Sequence, residues 1–124
     1  MGSIVGFSGS ININNLQPGT FIFQVCFDVP ITLAAPLATN IISTITLTTT
    51  ASITGTIIFS IRPTDIGPQP VFVLNPTKTL APATVTWTSN IPGDPIVRYE
   101  AISLYSNPNI TQSAVYSVFM SSNI

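Results

Sequence analysis

The chain has no histidine, one cysteine, and only three basic and four acidic residues among 124. Charged side chains are 6% of it, where about 25% is usual. Each shortage excludes a class of function. Without histidine there is no Ser-His-Asp triad and no imidazole to activate a cysteine nucleophile. A single cysteine gives neither a disulfide framework nor a CxxC metal or redox pair. Arg62, Lys78 and Arg98 are too few for the basic patch that nucleic acid requires, or for a polybasic segment on an anionic membrane. The acids Asp28, Asp65, Asp94 and Glu100 fall on four separate elements. They form no carboxylate pair for glycoside cleavage and no Asp-x-Asp run for calcium. No Ser-x-x-Lys motif accompanies Lys78, and the glycines make no phosphate-cradling loop. The expectation is a non-enzyme with no cofactor, no metal, no nucleic-acid partner and no membrane partner.

Long apolar runs are also missing. None reaches the roughly 18 residues of a membrane helix. Met1 to Phe7 has neither a basic n-region nor a long apolar h-region, so it is not expected to act as a secretory signal. Met1 to Phe7 does not fit the myristoylation pattern either. No segment repeats apolar residues at helical spacing over three turns, so almost no helix is expected.

What the sequence does contain is alternation. Thr20 to Val29 places Phe21, Phe23, Val25, Phe27 and Val29 on one face. Ile41 to Thr50 sets Ile45 and Leu47 against Thr44, Thr46 and Thr48. Ser52 to Ile61 aligns Ile53, Ile57, Phe59 and Ile61. Val71 to Leu74, Ala83 to Ser89, Ile96 to Tyr105 and Ser113 to Met120 continue the period of two, which marks half-buried strands. Proline, glycine and asparagine separate them at Pro30 to Pro36, Arg62 to Pro70, Asn75-Pro76, Pro92 to Pro95 and Asn107 to Asn109. Seven or eight strands with turn signals about every ten residues predict an antiparallel β-sandwich. The spacing fits a jelly-roll-like domain over residues 20–124. An immunoglobulin-like sandwich lacks its Cys-Trp-Cys spacing here.

Residues 1–19 are rich in Gly, Ser and Asn and end in the turn signal Gln17-Pro18-Gly19. They read as an extended N-terminal arm. Ile4, Val5, Phe7, Ile11 and Ile13 are its candidate anchors, able to add a strand to the sheet of a neighbouring copy. Such a head-to-tail contact does not close on itself and makes filaments. Cys26, between Val25 and Phe27, reads first as a small packed side chain. Its functional reading is a disulfide between subunits. Arg98 and Glu100 share a strand face as a surface pair, and Asn109-Ile110-Thr111 is a sequon, a motif common by chance.

The Thr-x-Thr runs fit the uncharged outer face of a sandwich, where threonine is favoured. They lack the strict repeat of an ice-binding solenoid. The alternation from Ser43 to Thr56 also has the form of a pore-forming hairpin, but that use would remove two core strands from a small domain. A soluble monomer normally carries about 25–35% charged residues on its surface. This chain cannot, so much of its surface is expected to be covered by other copies, without desolvating charge.

In this combination the chain resembles the self-assembling proteins of Bacillus spore surfaces. The resemblance rests on the arm Gly2 to Asn15, the Thr-rich strands 41–61 and the last strand Val115-Tyr116-Ser117-Val118-Phe119-Met120. It is one of composition and layout over the whole chain. Endospore appendage subunits are small jelly rolls with an N-terminal connector. The tumour-necrosis-factor-like tips of exosporium glycoproteins are trimeric jelly rolls. Appendage subunits carry paired cysteines in and around the connector, whereas this arm has none and only Cys26 follows it. The resemblance implies a homo-oligomeric structural subunit on an extracellular bacterial spore surface, partnered by itself and by an anchor or tip protein. The alternative it implies is a trimeric binding head that recognises a receptor or glycan, with Tyr99 or Tyr105 as contacts.

Overall fold

The computed structural model describes residues 2–29, 36–74, 77–97, 101–107 and 114–123. Among these residues the fold is all-β and antiparallel, with one short 3-10 turn at Ala38–Asn40. The strands are β1 (Gly2–Leu16), β2 (Gly19–Phe27), β3 (Ile41–Thr49), β4 (Ile53–Ile61), β5 (Gln69–Leu74), β6 (Lys78–Ser89), β7 (Pro95–Ile96), β8 (Ile102–Asn107) and β9 (Ala114–Asn123). The hydrogen-bonded order is β7-β1-β4-β5-β6-β3-β2-β8, with β9 on β1.

This ribbon folds over on itself. β9, β1 and β4 form one layer, and β8, β2, β3 and β6 form the other. β5 joins the layers, because it pairs with β4 on one side and β6 on the other. The inward faces supply one core from both layers, including Ile11, Phe23, Ile45, Leu47, Ile57, Phe59, Ile61 and Val85. Phe7, Phe23 and Phe59 meet there with ring centroids 6.1–6.2 Å apart. Phe7 and Phe23 belong to strands that share no ladder, so their contact bridges the layers. Phe59 lies across Gly9 on the neighbouring strand. A β-carbon at Gly9 would stand 2.7 Å from the Phe59 ring, so only glycine leaves room for it.

The outward faces explain the threonines. β3 and β6 pair Thr44 with Thr88, Thr46 with Thr86 and Thr48 with Thr84. Cross-strand Thr-Thr pairs of this kind stabilise a sheet without charge. The inward neighbours Ile45 and Leu47 pair with Trp87 and Val85.

The N-terminal segment departs from its sequence reading. The expected division into an arm at 1–19 and a domain at 20–124 does not hold for the described residues. Gly2–Leu16 is β1, with β4 along one side and β9 along the other. Two irregularities hid this strand. The β1–β9 register shifts between Ile4 and Gly6, so Ile4 and Phe7 both face the core although three residues apart. A second shift, against β4, falls between Ile13 and Leu16. Asn15 there adopts a positive φ of 57°, which asparagine tolerates better than most residues. The long strand expected from Ile96 to Tyr105 is also divided, into β7 and β8, with residues 98–100 outside the described set.

Candidate functional site

The sequence singled out Ile4, Val5, Phe7, Ile11 and Ile13 as anchors for a neighbouring copy. The structure places Ile4, Phe7, Ile11 and Ile13 in this chain's own core. Only Val5, at 40% exposed, points outward, because the bulge at Ile4/Gly6 turns it away. These side chains are therefore committed within their own sandwich. Reaching a neighbour would require β1 to leave both β4 and β9.

Cys26 is fully buried. The β2–β3 register shifts between Val25 and Cys26, and the thiol lies 3.6 Å from the Gln24 carbonyl oxygen. Burial raises its pKa above the ordinary thiol value, which disfavours the reactive thiolate. A disulfide to another copy would need β2 to open first. The small packed side chain is the reading that fits this position.

The feature most open to contact lies elsewhere, where the folded ribbon fails to close. β8 pairs with β2, and β9 pairs with β1. Among the described residues neither strand has a partner on its other side. Along β9, Val118 sits opposite Gly9 and Met120 opposite Phe7. Along β8, Leu104 sits opposite Val25 and Ile102 opposite Phe27. Their side chains border a cavity of about 200 Å³ that reaches Phe7 and Val25. Residues that line an interior are normally shielded, yet Ile102, Leu104, Val118 and Met120 are 37%, 41%, 38% and 36% exposed. Phe119, on the opposite face of β9, is 70% exposed. Neither strand contains a charged residue. Charge and proline are the usual guards of a free edge, and these two strands have neither.

At one end of the sandwich sits a polar cluster that sequence reasoning did not find. Asp94 read as an ordinary turn residue, but it is buried. Its Oδ1 accepts from Ser43 Oγ at 2.6 Å and Trp87 Nε1 at 3.2 Å, and its Oδ2 accepts from Ser89 Oγ at 2.9 Å. Its backbone carbonyl accepts from the Ile4 amide at 2.9 Å. The cluster thus ties β1 to β3 and β6. Every donor on the carboxylate is neutral and structural in placement, so the cluster reads as a fastening between layers. The donors lie 51, 7 and 5 residues from Asp94 along the chain, so local spacing carries no signal of it.

The other acids are apart from it. Asp28 accepts from the Ala101 amide, and Asp65 pairs with Arg62. Among the described residues no three of the His, Cys, Asp and Glu types converge as a metal site. Arg98, Tyr99, Glu100 and the 109–111 sequon lie outside the described residues. Tyr105 is half-buried on β8, opposite Gln24. No protein-family model, curated protein or solved structure matches the chain.

Proposed function

We propose that the chain is a structural subunit that assembles with copies of itself into an extracellular filament or spore-surface layer. Copies join through the free edges of β8 and β9. The single observation that carries this reading is the unclosed seam, two charge-free edge strands flanking partly exposed core side chains. An edge strand presents unpaired backbone donors and acceptors that another strand can satisfy. Pairing there also covers Ile102, Leu104, Val118 and Met120 without desolvating any charge. Full burial of a side chain of this size contributes about 1.5–3 kcal/mol, and the remaining exposure here represents a part of that. The rest of the surface fits the same role, since threonine ladders cover much of β3 and β6. On this reading the jelly-roll-like block joins edge to edge, and β1 stays in its own sheet rather than serving as a connector.

Negative-stain electron microscopy of the wild type and of the double variant Leu104→Lys/Val118→Lys tests the proposal. Wild type is expected to form long uniform polymers. The variant, with a cation on each edge, is expected to keep its β-sheet circular dichroism and remain dispersed. Discrete wild-type monomers or trimers would overturn the filament reading and favour a closed binding head. Variant polymers identical to wild type would remove the edges from the assembly.

A further inference from the structure

The chain's few charges are not spread evenly. Of three basic and four acidic residues in the whole sequence, Arg62, Lys78 and Asp65 line one cleft of about 600 Å³. It lies on the outer face of β4 and β5, and no residue of β8 or β9 lines it. Its position follows from strand parity. Ile57, Phe59 and Ile61 point inward, so Ile58 and Ser60 point outward and lead to Arg62 at the end of β4. Ile58 pairs with Phe72 on β5, and the two supply an apolar floor. Lys78, at the start of β6, holds its Nζ 4.5 Å from the Phe72 ring centroid.

The Arg62 end is built rather than incidental. Asp65 accepts from the Arg62 backbone amide at 2.8 Å and from its guanidinium at 3.2 Å. The Asp65 amide in turn donates to the Arg62 carbonyl at 3.0 Å. The carboxylate is tucked in at 17% exposure while the arginine side chain is 68% exposed. Asp65 therefore holds the guanidinium in position using one of its five N–H donors. Gln69 donates from Nε2 to the carbonyls of Ile66 and Gly67, which leaves its Oε1 as an acceptor. The cleft thus combines two cations, one of them positioned and partly offset by the Asp65 carboxylate, with an apolar floor and a neutral acceptor.

We propose that this cleft binds a carboxylated pyranose, the acidic residue of a glycan. The guanidinium matches a carboxylate bidentately, and Lys78 supplies a second positive charge. The C–H face of a sugar ring fits against Ile58, beside the Phe72 ring that Lys78 overlies, and Gln69 Oε1 accepts from a ring hydroxyl. The volume lies within the range of ordinary ligand sites. This inference is independent of the assembly reading, because no residue of β8 or β9 takes part.

Ligand-observed saturation-transfer NMR on the full chain tests it with three probes: glucuronate, glucose and propionate. Glucuronate is expected to bind at least about tenfold more tightly than either of the others, a difference of about 1.4 kcal/mol. Arg62→Gln and Lys78→Met are each expected to weaken glucuronate binding by about tenfold or more, with the thermal midpoint unchanged. The edge variant Leu104→Lys/Val118→Lys is expected to bind as wild type does, which separates failure here from failure of the assembly reading. Equal binding of propionate would mean a bare carboxylate site and overturn the sugar. Equal binding of glucose would overturn the role of charge. Absence of glucuronate binding, or binding unchanged in both Arg62→Gln and Lys78→Met, would overturn the site.

Discussion

β3 and β9 are made from similar material and meet different fates. Both are built of apolar and small polar residues, and neither carries a charge, though only β3 alternates them regularly. β3 has β2 on one side and β6 on the other. Its inward Ile45 and Leu47 are sealed, and its outward threonines face threonines across β6. β9 has β1 alone. Its inward Val118 and Met120 keep more than a third of their surface in solvent, and its outward Phe119 is more exposed still. Alternation decides which way a side chain points. A second neighbouring strand decides whether that side chain is buried. On the assembly reading, β9 obtains its second neighbour from another copy.

The largest effect is expected from taking away β1, the neighbour of β9 among the described residues. Deleting residues 2–15 removes β1, four buried core side chains and the partner of both β4 and β9. Read as a detached arm, this segment would be dispensable for folding. As a core strand it is not, and the deletion is expected to abolish the cooperative thermal transition seen by circular dichroism. Next in size is Asp94→Ala. It strands the hydroxyl donors of Ser43 and Ser89 and the indole N–H of Trp87. Ser43 is buried, Trp87 half-buried and Ser89 exposed; at about 1–3 kcal/mol for an unsatisfied buried donor, with smaller losses at the other two, the cost is a sizeable share of the about 5–15 kcal/mol available to a whole domain. Urea unfolding should show a marked fall in the midpoint.

Matched truncations on β3 and β9 should differ in cost. Ile45→Ala on β3 should cost about 2–5 kcal/mol, as buried isoleucine truncations do. Val118→Ala on β9 should cost under about 1 kcal/mol in dilute solution, because less burial is lost. Chemical denaturation of the pair measures the gap, and equal losses would mean that the seam is closed in solution. The smallest expected effect is on pH dependence. Burial raises the Cys26 pKa in the fold, so the folded state holds the thiol proton more firmly than the unfolded chain does. Its contribution to stability is complete below the ordinary thiol pKa and is lost as pH rises from there through the raised folded value. Cys26→Ala should flatten that alkaline decline in a series of thermal melts.

Much of the architecture was legible in the sequence because it is written in a period of two. The patterns at Thr20 to Val29, Ile41 to Thr50 and Ser52 to Ile61 correspond closely to β2, β3 and β4. Threonine on the outer face followed from its β-preference and lack of charge. What escaped was whatever breaks that period or acts at long range. Ile4 and Phe7 share the core only because a bulge intervenes, so β1 reads as a loose arm. Gly9 looks like one more glycine of that arm, until Phe59 arrives from 50 residues later to lie over it. Pro92-Gly93-Asp94-Pro95 has the chemistry of an exposed turn, and nothing nearby announces that Ser43 will reach the carboxylate. The free edges of β8 and β9 were illegible for the same reason, since the order of strands in a sheet is a property of distant pairings.

The most direct test of the central claim is residue-resolved amide hydrogen exchange along β9, in dilute and in assembled protein. In an antiparallel strand alternate amides point toward each neighbour, so every other β9 amide faces away from β1. Those outward amides are expected to exchange freely in dilute solution and to become protected on assembly, while the inward set is protected in both. Outward amides of both β9 and β8 that exchange equally fast in the two states would contradict the claim.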